Sequence, residues 1–234
     1  MRPRRAASGC ACLAAEPHEA RRCRLVVLIS GGGSNLQALI DSCETGEFPA
    51  SIAAVISNRP DAGGLERARR AGIATAILDH KSFPDRASFD AALLREIDRH
   101  EPGLVVLAGF MRILSADFVR HYAGRLINIH PSLLPLYPGL HTHQRALEAG
   151  DSEHGATVHF VGEELDVGPA IVQARVPVHT GDTPETLAAR VLGQEHRIYP
   201  HAVRLFAEGR LRLVDGRALL DGEALPATGL PFPD

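Results

Sequence analysis

From Arg24 onward, short runs of β-branched and aliphatic residues alternate with amphipathic segments, and this alternation restricts the fold more than any other feature of the chain. A repeat of apolar run and helical segment is the pattern of a parallel sheet with crossover helices. Strands are expected near residues 24–30, 52–57, 74–78, 104–108 and 125–129. Helices are expected over 35–43, 62–71 and 86–100, the latter two stopping at Gly72 and before Pro102, where a helix should end. A later block reads differently. Residues 155–161 and 170–178 look like two strands joined by an acidic loop, hence an antiparallel pair. A long helix over 184–208 follows, opened by Asp182 or Thr183 as a cap with Pro184 in its first turn. The expected fold class is α/β, a mostly parallel twisted sheet with helices on both faces and an antiparallel C-terminal portion. At 234 residues the chain suits one domain with appendages. It divides into an extension over 1–22, a domain over 23–220 and a tail over 221–234.

Composition removes several classes of function. Lys plus Arg number 25 against Asp plus Glu 28, a balance of −3 that offers no basic surface for nucleic acid. No apolar stretch approaches the roughly 20 residues needed to span a bilayer, so no membrane partner is expected. Cys10, Cys12, Cys23 and Cys43 do not form the two close pairs of a structural zinc site, so they read as reduced cytoplasmic thiols and no metal is expected. The Arg-rich first 22 residues lack the apolar core of a secretory signal, and Glu16 and Glu19 argue against a transit peptide. They read as a disordered extension or an early start codon.

Four segments carry chemistry. Leu126-Ile127 feeds into Asn128, Ile129 and His130 before Pro131 stops the strand. Residues two apart on a strand share a face, so Asn128 and His130 project together while Ile129 points into the core. An amide donor beside a titratable imidazole can hold a reacting carbonyl, although the same pair could merely cap a strand. Ser30-Gly31-Gly32-Gly33-Ser34-Asn35 lies between the first strand and its helix. Its glycines let the backbone approach an anion, and the amides opening the helix carry partial positive charge, which predicts a phosphate site. The dinucleotide fingerprint would need glycine at Leu36, and no Gly-Lys-Ser/Thr follows for a P-loop. Gly109-Phe110-Met111-Arg112-Ile113-Leu114 follows a strand and could wall a flat organic ligand. Finally, Glu163-Glu164-Leu165-Asp166-Val167-Gly168-Pro169 forms an acidic turn after a strand bearing His159, which on its own reads as an exposed charged loop. A carboxylate beside an imidazole favours the charged ring.

Taken together, residues 33–37, 108–114, 128–149, 165–173 and 194–200 resemble the phosphoribosylglycinamide formyltransferase family, the folate-dependent glycinamide ribonucleotide transformylases. The resemblance covers about residues 24–220. It implies a Rossmann-like formyltransferase fold and transfer of a formyl group from 10-formyltetrahydrofolate to the amine of glycinamide ribonucleotide, a small-molecule reaction in a cytoplasmic monomer or homodimer. It carries the catalytic roles to Asn128, His130 and Asp166. It assigns Gly33, Ser34, Asn35 and Glu195 to the ribonucleotide. The folate falls to Arg86, Met111, Arg112, Ile113, Leu114, Asn128 and the loop Gly162, Glu163, Glu164, Leu165 and Asp166. The chain departs from the family pattern at Gly32, Leu136 and Val167. Two other activities share the motifs. A 10-formyltetrahydrofolate hydrolase would use the same three groups on water but is expected to carry a regulatory domain ahead of the first strand. A transferase acting on methionyl-tRNA would want a further C-terminal domain and a basic surface. A catalytically silent nucleotide-binding module on the same fold is the reading from another class.

Overall fold

The run Cys-Arg-Leu-Val-Val-Leu-Ile forms β1 (Cys23–Ile29), and its alternation divides the molecule into two cores. Leu25, Val27 and Ile29 pack with Leu36 and Leu39 of α1 (Ser34–Glu44). Val26 and Leu28 face the other way, into a second apolar cluster. A strand covered on both faces must be apolar where it is covered, and β1 is apolar and buried from Leu25 to Ile29. The computed structural model describes residues 22–45 and 48–233. The expected extension therefore lies almost wholly outside the described residues, as do Cys10 and Cys12.

β2 (Ala50–Ser57), α2 (Gly64–Arg70) and β3 (Ala74–Ile77) continue outward from β1. The chain then returns through α3 (Arg86–Asp98) to β4 (Leu104–Leu107) on the other side of β1, followed by α4 (Ala116–His121) and β5 (Leu126–His130). All these pairings are parallel. After α5 (Thr142–Ala149), β6 (Glu153–Phe160) and β7 (Ala170–Pro177) add antiparallel strands beside β5. The mostly parallel sheet with an antiparallel portion is thus as the sequence led us to expect.

α6 (Pro184–Ala207) lies over the β1–α1 core, to which Leu187, Val191, Ile198 and Tyr199 contribute. Its cap is Thr183, in a reciprocal capping box with Thr186. The opposite cluster is built on Phe89, Leu93 and Ile97 of α3 and Phe118 and Val119 of α4. β8 (Leu211–Val214), β9 (Arg217–Leu220) and β10 (Glu223–Ala224) form a small antiparallel sheet. β11 (Leu230–Pro231) runs parallel to β7 and completes an eight-stranded sheet in the order β11-β7-β6-β5-β4-β1-β2-β3. The segment expected as a tail from 221 therefore carries two short strands.

Two helices, α4 and α5, were not anticipated. Both are short, six and eight residues, so neither repeats an apolar face often enough to stand out. α2 begins at Gly64, two residues after the expected start, and α3 ends at Asp98 rather than at residue 100.

Candidate active site

Because the chain leaves β1 toward β2 and later returns to β4, the crossovers on either side diverge and open a crevice at the carboxyl ends of β1, β4 and β5. Three of the four chemical segments of the sequence open there, at the ends of these strands, and the acidic loop follows β6. The Ser30 amide donates to the Gly109 carbonyl at 3.1 Å, tying the first two loops together.

Asn128 and His130 do share a face of β5, while Ile129 lies in the core on the other side. The His130 Nδ1 stands 3.4 Å from Asp166 Oδ2, and both side chains are nearly buried. Its Nε2 lies 2.9 Å from the Tyr137 carbonyl oxygen. A carbonyl and a carboxylate are both acceptors, so the ring serves both only when doubly protonated. Asp166 sits in the left-handed region at φ 57°, which aims its carboxylate inward, and the Gly139 amide donates to its Oδ2 at 2.9 Å. Asp166 is thus held by a loop beyond β6, and His130 by a strand end.

Antiparallel pairing sets His159 of β6 directly opposite Asn128. The His159 Nδ1 is 2.8 Å from the Phe160 carbonyl, so it carries the proton, and its Nε2 is left to accept from Asn128 Nδ2 at 3.2 Å. That contact orients the amide, turning Asn128 Oδ1 away from His159. Sequence reasoning noted His159 only as a neighbour of the acidic turn. Its partnership with Asn128 depends on strand register, which local pattern does not carry.

Burial pushes the His159 ring down to about 4, and His154 likewise to about 4. Both rings are neutral in the folded protein at neutral pH, whereas the unfolded chain takes up protons from about pH 6.5 downward. Their contribution to stability is present in full above that pH and is lost as pH falls toward 4. Buried Glu195, raised by desolvation, opposes this trend on its own. The urea midpoint is expected to fall between pH 7 and pH 5 by the equivalent of about 2 kcal/mol per buried ring. An unchanged midpoint over that interval would show that the rings are not held neutral.

The glycine turn opens α1 at Gly33, whose φ of 73° is left-handed, and no side chain caps the helix. Its first amides are therefore free for an anion. A Cβ on Gly33 would come 2.7 Å from the Gly64 Cα, so glycine at both positions lets α2 abut the turn. Gly64 went unremarked in the sequence because its role is a contact between distant segments. Ser34 starts the helix, and buried Asn35 donates through Nδ2 to Glu195 Oε2 of α6 at 2.6 Å. The Asn35 Oδ1 has no partner. The residues expected at the ribonucleotide therefore do meet, across 160 positions of sequence.

The residues expected at the folate are more scattered. Met111 and Ile113 are exposed, and Leu114 is buried beneath them. Arg112 lies over the Phe89 ring at 5.3 Å with a buried, unpartnered Nε. Leu140, Leu165 and Val167 are also exposed, on the loops after β5 and β6, and exposed apolar side chains of this kind suit a flat organic ligand. Gly162 closes the neck of the Asp166 loop against Gly168, and Glu164 is exposed. The Glu163 carboxylate is occupied by Arg120 of α4 at 2.9 and 3.0 Å, so it braces the loop. Arg86 stands exposed in the first turn of α3.

The pattern of the formyl transferase family matches residues 23–203. The chain is 60% identical over 205 residues to phosphoribosylglycinamide formyltransferase of Escherichia coli K12, covering 88% of this chain and 97% of that protein. The same enzyme of Haemophilus influenzae is 51% identical over 206 residues, 88% of this chain and 97% of that one. Among solved structures, phosphoribosylglycinamide formyltransferase of Coxiella burnetii superposes with a TM-score of 0.88 at 53% identity, covering 91% of this chain and all of that chain.

Proposed function

We infer the reaction from the premise that this chain belongs to the formyl transferase family: it transfers the formyl group of 10-formyltetrahydrofolate to the amine of glycinamide ribonucleotide. The products are formylglycinamide ribonucleotide and tetrahydrofolate, a step of purine biosynthesis. The geometric observation that carries the assignment of its parts is Asp166 at 3.4 Å from His130, with Asn128 on the same strand face.

In this reading the substrate amine attacks the formyl carbon and the carbonyl oxygen becomes an oxyanion. The free amide hydrogen of Asn128 and the protonated His130 ring are its donors. For the ring to reach the oxyanion, Nε2 exchanges the Tyr137 carbonyl for the developing charge, while Nδ1 keeps Asp166. As the intermediate collapses, the bond to the folate nitrogen breaks. The proton shed by the attacking amine passes by way of Asp166 and His130 to that departing nitrogen. The Gly33, Ser34 and Asn35 turn holds the ribonucleotide phosphate, and Glu195 faces its sugar or glycinamide end. Met111, Arg112, Ile113, Leu114 and the loop 162–166 line the folate, with Arg86 at its outer end. The chemistry draws only on proton transfer and oxyanion stabilisation, so no metal takes part in it.

No helix among the described residues is long and apolar enough to cross a membrane. We place the enzyme in the cytoplasm as a monomer or homodimer acting on small molecules, without a nucleic-acid or membrane partner. Light scattering on the purified protein distinguishes the two oligomeric states.

The test mixes purified protein with 10-formyltetrahydrofolate and follows the folate product by absorbance, with and without glycinamide ribonucleotide. Turnover that requires the ribonucleotide is the expected result. Turnover without it would establish a hydrolase, and none at all would establish a silent module.

A further inference from the structure

We propose that Ser30 is a positioning residue for the folate side of the site, holding the Met111 segment in place through a one-way chain of hydrogen bonds. The inference rests on the assignment of residues 111–114 to the folate. Ser30 and Asn58 are both almost fully buried, at 5% and 3% exposure. The Met111 amide donates to Ser30 Oγ at 2.8 Å, across 81 residues of sequence. Since Oγ accepts there, its single proton goes to its other neighbour, Asn58 Oδ1, at 2.5 Å. Asn58 is anchored in turn at its backbone, whose carbonyl oxygen lies 2.9 Å from the His80 Nδ1. Donation therefore runs from Met111 through Ser30 to Asn58.

The consequence is a fixed backbone beneath an exposed side chain. Met111 is 65% exposed, so its own packing does little to hold it. Ser30 grips the loop twice, through its amide to the Gly109 carbonyl and through Oγ to the Met111 amide. Within the Ser30–Asn35 turn, the part assigned to the ribonucleotide, from Gly33 to Asn35, and the two glycines before it are held by other bonds. The Gly64 amide donates to the Gly31 carbonyl at 3.0 Å, Arg67 Nε to the Gly32 carbonyl at 2.8 Å, and the Gln37 amide to the Gly33 carbonyl at 2.9 Å. Loss of the Ser30 hydroxyl thus loosens one substrate's wall and leaves the other's cradle intact.

Ser30→Ala strands a half-buried donor at Met111 and a buried acceptor at Asn58. KM for 10-formyltetrahydrofolate is expected to rise about tenfold. KM for the ribonucleotide should stay within about twofold and kcat within about threefold. Ser30→Thr restores the hydroxyl and should bring the folate KM most of the way back. If Ser30→Ala does not fold, Asn58→Ala carries the same test, because Ser30 Oγ loses its acceptor while still receiving from Met111. A smaller rise confined to the folate is then expected. A uniform change in both KM values, no change in either, or a threonine variant as impaired as alanine would overturn the inference. Wild-type protein assayed in parallel separates the two levels. A silent wild type would overturn the functional assignment and this inference with it, whereas an active wild type with an unselective Ser30→Ala would overturn this inference alone.

Discussion

Asp166→Asn is expected to lower kcat for formyl transfer by about 10²-fold to 10⁴-fold, while KM for both substrates changes only a few-fold. The substitution keeps the shape of the side chain and an oxygen able to accept from the Gly139 amide, now 2.9 Å from Oδ2. It removes the charge that faces His130 Nδ1 at 3.4 Å. Asparagine cannot take a proton from the amine, and it leaves the imidazole without the partner that matches a doubly protonated ring. His130→Ala should lose turnover to a similar degree. Because the two groups act as one proton-transferring unit, the double variant should be little worse than either single one. Steady-state kinetics on the three variants decide the matter. Near-normal turnover in Asp166→Asn would remove Asp166 from the mechanism.

The legible parts of this site are those in which neighbours in sequence are neighbours in space. Asn128 and His130 are two residues apart on one strand, so the period of a strand alone puts them on one face. The glycine turn likewise precedes its own helix. Asp166 is different: nothing in the acidic loop says that the third of its three carboxylates turns inward. Its resemblance to a family motif singled it out, and the structure gives the physical reason in a left-handed φ of 57° that buries Asp166, while Glu163 is drawn outward to Arg120. The contacts missed altogether are long-range. The His159 contact with Asn128 requires the β5–β6 register, Ser30 meets Met111 across two strands, and Gly64 matters only because its Cα meets Gly33. The same holds for the fold. β1, β2, β4 and β5 announce themselves as apolar runs, whereas β11 is two residues long and exists only as a partner for β7.

The second large effect belongs to a residue that touches no substrate. A Cβ at Gly168 would lie 1.6 Å from the Phe160 carbonyl oxygen and 2.9 Å from the Gly162 amide nitrogen. Both are backbone atoms at the neck of the loop, where the Phe160 amide also donates to the Pro169 carbonyl at 3.0 Å, so no side chain can swing aside. Gly168→Ala must open the neck, and Asp166 lies two residues away on the displaced segment. A shift of about 1 Å in a catalytic group costs about 10²-fold in rate. The variant should therefore lose kcat about as Asp166→Asn does, but with a signature that the isosteric variant lacks. Its unfolding free energy should fall by about 1–3 kcal/mol, since a close-packed segment has been forced apart. Gly193→Ala is the control, because a Cβ there meets nothing within 4 Å. Within α6 it should add about 0.5–1 kcal/mol of stability. Urea unfolding and initial rates on the two glycine variants test the point together. If Gly168→Ala kept both rate and stability, the loop would close around a methyl group, and the placement of Asp166 would have to come from the Gly139 amide and the His130 ion pair instead.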